Sequence, residues 1–293
     1  MHNSARKGVA VGFFDGVHLG HRSILRGAAS VMTFRSHPQS IVCPSKAPRL
    51  IMPLEVRLAT LRSLGLEEVS AIEFTPELAA MEAEDFARNI LLPVAKRSVP
   101  PGEAPLVRCG ANWRFGRGAR GDAALLASLG FAVDVVPFAS MGGERISSTR
   151  IREAIERGAL EEAAAMLSSP WAVYGVVAKG KGLGAKLGFP TLNVIPQELA
   201  LRLPRGVYVA RICGALAVAN FGLAPTLGAE AWNADVLEVH ILDMENCAAS
   251  LPGVGAAVQV QLLKRLRDER RFDSLDALRA QIEHDCSDAR RLR

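Results

Sequence analysis

The run Val9-Ala10-Val11-Gly12-Phe13-Phe14-Asp15-Gly16-Val17-His18-Leu19-Gly20-His21 decides how the first half of the chain is read. Val9 to Phe14 is a short apolar stretch of strand character, and Leu19 to Ala29 has helical spacing. Between them, Gly16 and Gly20 let the backbone approach an anion while N–H groups of the helix start point toward it. His18 and His21 straddle that start, where imidazoles can donate to phosphate oxygens as charge grows in a transition state. The plainer alternative is two satisfied histidines beside a tight turn. Both histidines together with the glycines, between a strand and a helix, favour a phosphate site.

The alternation continues outward. Strand-like segments are expected at Ser30 to Phe34, Val69 to Phe74, Leu106 to Gly110 and Val133 to Phe138. Helical periodicity is expected at Pro53 to Leu64, Glu82 to Leu92 and near Leu125 to Leu129. Strands separated by helices predict a Rossmann-like α/β domain with a parallel sheet, whose ligands lie beyond the carboxyl ends of the strands. A helix from Thr149 to Leu167, with Thr149 as its N-cap, is expected to close this half. Ser168-Ser169-Pro170 then interrupts the pattern, which predicts domains at 1–168 and 169–293. Beyond Trp171, short β-rich runs near Val173 to Ala178, Val207 to Cys213, Leu216 to Phe221, Val236 to Leu242 and Ala257 to Leu263 suggest a mainly antiparallel barrel. Leu275, Leu278 and Ile282 then have the spacing of a C-terminal helix.

With 293 residues, 49% hydrophobic and 22% charged, the chain has the material for two packed cores, which excludes a disordered or collagen-like protein. Five scattered cysteines, none paired as C-x-x-C, suit free thiols in a reducing cytoplasm better than a disulfide scaffold. No apolar run reaches the length of a membrane span, and the short apolar stretch after Lys7 is too short for a signal peptide, so a cytoplasmic location without a membrane partner is expected. A net charge of +5 suits phosphate-rich ligands. Aromatic content of 5% disfavours a nucleic-acid binder that stacks bases on exposed rings.

Three further stretches carry chemistry. Ile146-Ser147-Ser148-Thr149-Arg150-Ile151-Arg152 places hydroxyls and guanidinium groups at a helix start, either a polyphosphate clamp or a well-capped helix with solvated arginines. Gly180-Lys181-Gly182-Leu183-Gly184-Ala185-Lys186-Leu187-Gly188-Phe189-Pro190-Thr191-Leu192-Asn193 can wrap phosphates, and Thr191 and Asn193 offer oxygen to a hard cation such as Mg²⁺. It lacks the G-K-[ST] of a P-loop, and a flexible surface hairpin is its competing reading. In Val236 to Asp243, alternation places Glu238 and His240 on the face opposite Leu237, Val239 and Ile241. Such a carboxylate is a general base or part of an ordinary solvent-facing strand.

His18 to His21 with Ser147 to Arg152 resembles the H-x-G-H and I-S-S-T-x-I-R signatures of the nucleotidyltransferase superfamily. The F-D-G-V-H-L-G-H form narrows the resemblance to the FAD synthetase module of bacterial bifunctional riboflavin kinase/FMN adenylyltransferases. Thr33-Phe34-Arg35-Ser36-His37-Pro38 resembles that family's T-F-x-x-H-P loop, and Gly110-Ala111-Asn112-Trp113-Arg114-Phe115-Gly116 its G-x-D-F-x-F-G stretch. The glycine-rich run through Pro190-Thr191-Leu192-Asn193 resembles the riboflavin kinase signature, Leu237 to His240 the strand of its catalytic Glu, and Leu266 to Phe272 with Leu278 to Asp285 its helical tail. Departures are Asn112 where Asp is usual, Ala224 where Arg is usual, Cys247 to Ser250 in place of D-L-Y-G, and a short segment between His21 and Thr33.

The resemblance implies ATP-dependent phosphorylation of riboflavin to FMN, then adenylylation of FMN to FAD with release of pyrophosphate. It implies catalytic roles for Glu238, His18 and His21, and Mg²⁺ held by Thr191 and Asn193. Nucleotide and phosphate binding would fall to Gly12, Phe14, Asp15, Gly16, Gly20, Ser147, Ser148, Thr149 and Arg152, and in the second half to Gly182, Gly184, Lys186, Gly188 and Pro190. Flavin binding would fall to His37, Pro38, Asn112, Phe115 and Arg267; Lys264, Arg265, Arg270 and Arg271 beside Arg267 read as the solvated face of the tail. The expected partners are small molecules (ATP, riboflavin and FMN), and a homo-oligomer is left open. Two competing functions are a non-catalytic flavin sensor and a nucleotidyltransferase acting on another phosphorylated metabolite.

Overall fold

The computed structural model describes residues 7–180, 188–197, 201–223, 235–243 and 251–292. The chain forms two compact units, the first ending at Ser148 and the second beginning at Thr149.

The first unit is built on a parallel five-stranded sheet of β1 (Val9–Val11), β2 (Ser30–Phe34), β3 (Glu68–Ile72), β4 (Leu106–Gly110) and β5 (Ala132–Val136), in the order β3-β2-β1-β4-β5. Val9 pairs with Ser30 on one side and Val107 on the other, so strand order reverses at β1. That reversal opens the crevice in which parallel sheets bind ligands. Alternation along β1 covers both faces: Val9 and Val11 join Phe86, Leu91 and Leu126 in one core cluster, and Ala10 joins Leu25, Leu58 and Leu61 in another. A short ribbon of β6 (Ser140–Met141) and β7 (Glu144–Arg145) follows β5.

Several elements differ from their expected bounds. β1 stops at Val11, because Phe14, Gly16 and Val17 all turn to positive φ (58°, 83° and 41°). The helix expected over Glu82 to Leu92 is a short turn Ala83–Asp85, a π-helical stretch Phe86–Leu91 and a helix Leu92–Arg97. Pro93 in the first turn of the last piece has no N–H to continue the ladder, and the widened turn before it absorbs the mismatch.

In place of the one helix expected over Thr149 to Leu167 there are two, Ser148–Glu156, which starts at the last residue of the first unit, and Leu160–Leu167. Gly158 (φ 80°) ends the first: its N–H reaches the Ile155 carbonyl and the Ala159 N–H that of Ala154, a Schellman closure. Because that helix begins at Ser148, Thr149 lies inside its first turn and is not the N-cap. Next comes a closed antiparallel barrel of β8 (Trp171–Ala178), β9 (Thr191–Pro196), β10 (Gly206–Ile212), β11 (Ala215–Leu223), β12 (Asp235–Ile241) and β13 (Ala257–Arg267), in the order β10-β11-β12-β9-β8-β13. Tyr208, Ala210 and Ile212 alternate with Val207 and Val209, and the latter pack with Cys286 and Ala289 of the helix Leu275–Arg291. β13 runs on to Arg267, so Lys264, Arg265 and Arg267 sit on a strand and not on the helical tail. The cysteines at 43, 109, 213 and 286 are free, and burial pushes the Cys109 and Cys286 thiols up to about 11. Among the described residues, no helix is long and apolar enough to cross a membrane.

Candidate functional site

In the first unit, three sequence motifs leave the carboxyl ends of adjacent strands: Gly12–His21 after β1, Arg35–Pro38 after β2 and Ala111–Gly116 after β4. His18 caps the helix Leu19–Leu25, its Nδ1 accepting the His21 N–H at 3.2 Å. The two imidazoles stack, with centroids 3.6 Å apart and planes 17° apart, and the Phe14 ring meets His21 edge-on at 5.3 Å. A Cβ on Gly20 would lie 3.1 Å from His18 Cε1, so a residue without a side chain gives this ring its place.

Phe14 and Asp15 are buried and build the loop from below. The Asp15 carboxylate accepts the Ile51 N–H at 3.1 Å, and its carbonyl accepts the Ser148 hydroxyl at 3.1 Å. An acid committed to backbone amides shapes the loop and has no donor to offer a phosphate. Ser147 precedes the helix Ser148–Glu156, whose first turns carry Thr149 and Arg152.

Beside the β2 and β4 loops lies a cavity of about 740 Å³, lined by Phe34, Pro38, Phe74, Phe86, Trp113 and Phe115 among others. Trp113 stacks on Phe115 at 4.7 Å, and Phe34 meets Phe74 edge-on at 5.1 Å. Ile41 and Val42 on its wall are exposed. A slot walled by flat rings suits a planar, largely apolar ligand. Of the residues expected to bind flavin, Pro38 and Phe115 line this cavity; Phe34, Phe74, Phe86 and Trp113 were not among them. His37 lies against Phe13 instead, at 4.6 Å, and Asn112 is exposed on the turn.

In the barrel, β12 lies between β9 and β11, and Glu238 is directly opposite both Asn193 and Asn220. Residues opposite one another on antiparallel strands share a face, so the amide, carboxylate and amide form a row on the outside of the barrel. Asn220 Nδ2 reaches on to Glu269 Oε1 at 3.4 Å. Burial, and then the nearby Glu269, raises the Glu238 carboxyl above its ordinary range. One step along, Thr191 is opposite His240, whose Nδ1 donates to the Pro190 carbonyl at 3.0 Å and whose ring meets Phe189 at 5.2 Å. Gly188 follows a stretch that includes Gly182, Gly184 and Lys186, which lie outside the described residues, as do Ala224 and Cys247 to Ser250.

Asn193 is 6% exposed, and its Oδ1 is buried without a hydrogen-bond partner among the described residues. A desolvated amide oxygen beside a hydroxyl and a carboxylate fits a hard cation. Among the described residues no cluster of His, Cys, Asp and Glu is placed to hold a metal.

Arg267 grips Asp285 with Nε at 3.0 Å and Nη2 at 2.7 Å, and Asp285 also accepts from Gln281 Nε2 at 2.7 Å. With Asp285 almost fully buried, this fork joins β13 to the last helix. Asp285→Ala is expected to cost about 3 kcal/mol by leaving the guanidinium without its partner. The apolar pair Arg267→Met/Asp285→Leu is expected to melt near the wild type. Thermal melts check both, and riboflavin binding by the double variant shows whether Arg267 also contacts flavin.

Fold and site together define a two-domain enzyme of phosphate chemistry, with one centre at the switch point of a parallel sheet and another on the face of a barrel. A family model for FAD synthetase matches residues 1–150, and one for riboflavin kinase matches residues 167–293. The bifunctional riboflavin kinase/FMN adenylyltransferase of Escherichia coli (strain K12) is 34% identical over 296 residues, covering 94% of this chain and 90% of its own length. The protein of the same description from Haemophilus influenzae is 30% identical, covering 99% of this chain and 96% of its own. A crystal structure described as a macrolide-efflux protein from Streptococcus pneumoniae superposes with a TM-score of 0.79 at 27% identity, over 99% of this chain and 95% of that one. The chain belongs to the bacterial bifunctional riboflavin kinase/FMN adenylyltransferase family.

Proposed function

We propose that the chain converts riboflavin to FMN on its barrel and FMN to FAD at the crevice of its parallel sheet, with ATP as donor in both steps. The observation that carries the reading is the row Asn193–Glu238–Asn220 in the same chain as the stacked His18/His21 pair. The functional boundary is placed at Ser168, giving 1–168 to adenylylation and 169–293 to the kinase.

In the first reaction, Glu238 takes the proton of the riboflavin 5′-hydroxyl as its oxygen attacks the γ-phosphorus and the bond to ADP breaks. Burial favours a base of this kind by raising its proton affinity toward that of the group it serves. Thr191 and Asn193 would hold Mg²⁺, which supplies charge neutralisation on the phosphates. Gly188 and Pro190, with Gly182, Gly184 and Lys186 before them, belong to the loop that wraps those phosphates.

In the second reaction, an oxygen of the FMN phosphate attacks the α-phosphorus of ATP, and the bond to pyrophosphate breaks. His18 and His21 donate to phosphate oxygens as charge develops, and the turn Gly12–Gly20 surrounds them with backbone amides. Ser147, Ser148, Thr149 and Arg152 hold the departing pyrophosphate. The ring-lined cavity takes the isoalloxazine, with Pro38 and Phe115 on its walls and His37 and Asn112 nearby in sequence. Positioning and electrostatics suffice, and no covalent enzyme intermediate is needed.

The test is a time course with riboflavin, ATP and Mg²⁺, the flavins separated by chromatography. FMN appearing first and FAD after it is the expected result, with chelation of the metal stopping FMN formation. FMN without FAD would remove the second activity. Bound flavin with neither product would favour the sensor.

A further inference from the structure

We propose that Arg57 is a positioning residue for adenylyl transfer, which locks the phosphate loop after β1 to the flavin-side loop after β2. The inference rests on the adenylylation assigned above and adds a residue to it. Arg57 comes from the helix Leu54–Ser63, where Leu58 and Leu61 form part of the core. It is 1% exposed. Its Nη1 donates to the Phe13 carbonyl at 3.0 Å, while Nη2 donates to the carbonyls of Phe34 at 2.6 Å and Arg35 at 3.2 Å. The guanidinium also lies 3.8 Å from the centroid of the Phe13 ring, which also meets the His37 ring edge-on. One planar cation thus joins the segments that lead to His18 and to His37-Pro38.

Stability alone is a poor reason for this residue. Arg57 Nε is buried with no hydrogen-bond partner among the described residues, and desolvation lowers the pKa to about 10 despite the pull of Asp15. An apolar side chain on this helix face would avoid that cost. What the guanidinium adds is a rigid fork with donors aimed in two directions, which neither lysine nor a hydrocarbon supplies.

The turn it holds also needs holding. Phe14 and Val17 are at positive φ, and for a β-branched residue such as Val17 that is a strained conformation. Strain of this kind persists where the surroundings over-determine it. Here the surroundings include Arg57 and Thr33 Oγ1 on the Phe13 carbonyl, and backbone amides on the Asp15 carboxylate. Reactants approach one another from these two loops. A small relative shift leaves each ligand able to bind but misaligns the attacking oxygen and the α-phosphorus.

The experiment uses full-length Arg57→Lys, with Thr33→Val as a near-isosteric variant that removes the other side-chain hydrogen bond to the Phe13 carbonyl. ATP binding stoichiometry is measured by calorimetry, and kcat is expressed per binding-competent molecule. Arg57→Lys is expected to lower kcat of FAD formation tenfold to about a hundredfold. KM for ATP and FMN should stay within about threefold, and FMN formation by the same chain should be unchanged. Thr33→Val should show the same split to a smaller extent, and it decides alone if Arg57→Lys does not fold. Wild-type kcat per competent molecule would reduce Arg57 to a structural residue and overturn the proposal. A raised KM at unchanged kcat would overturn it too, by making Arg57 a binding residue. A parent enzyme that makes no FAD overturns the adenylylation reading itself, and this inference with it.

Discussion

Glu238→Gln is expected to stop FMN formation from riboflavin, by about a hundredfold or more, while FMN supplied from outside is still converted to FAD. The substitution is chosen for its shape. Glutamine keeps the length of the side chain and its place opposite Asn193 and Asn220, and removes only the ability to take a proton. The barrel should not melt earlier and is expected to melt slightly later. In the wild type this carboxylate is half-buried and is repelled by Glu269, two effects that work against its charged form. A neutral amide escapes both, so activity and stability are expected to move in opposite directions, as they do where a site keeps a charge for chemistry. Separated flavins, with riboflavin and with FMN as alternative starting substrates, read the activity; a thermal melt reads the stability. Full FMN formation by the variant would remove Glu238 from the reaction and leave the row as an ordinary strand face.

The legible part of this architecture was the part written in local pattern. Ser30 to Phe34 and Leu106 to Gly110 are strands with the expected bounds; the first is nearly continuous in burial, as short strands of a parallel sheet are, and the second alternates, with Val107 and Cys109 buried. The alternation around Glu238 likewise placed it opposite the buried Leu237, Val239 and Ile241. β9 was hidden, since the glycine-rich reading ran through Thr191 to Asn193 as loop. Only pairing with β12 brings Asn193 to Glu238, and register is not local information. The ring-lined cavity was hidden for the same reason: Phe34, Phe74, Phe86 and Trp113 come from separate loops and elements that the sheet order gathers. Trp113 was within reach, being the second aromatic, beside Phe115, of the stretch quoted around Asn112. Arg57 sat inside a sound helical prediction, where an arginine reads as solvated. Its burial follows from the carbonyls of two distant loops, for which the sequence has no sign.

His18→Asn separates two roles that one side chain combines. His18 is an N-cap: its Nδ1 accepts the His21 N–H, which leaves Nε2 as the nitrogen that carries the ring proton and can donate to a phosphate. Asparagine is among the best N-caps, so His18→Asn should hold the helix start and stay within about 1 kcal/mol of the wild type. It has no donor at the far edge of a ring, and loses the face stacked on His21 at 3.6 Å. FAD formation from FMN is therefore expected to fall by about a hundredfold to a thousandfold, the usual effect of removing a donor from developing charge. His18→Ala should lose the same activity and, in addition, about 1 kcal/mol of stability with the cap. Comparing the pair by melting temperature and by FAD production assigns each loss to its cause. Should His18→Asn make FAD at the wild-type rate, the histidine is a cap alone. The transition-state charge would then rest on His21 and the amides of the turn, whose φ values at Phe14 and Val17 show that the fold holds it in a strained shape.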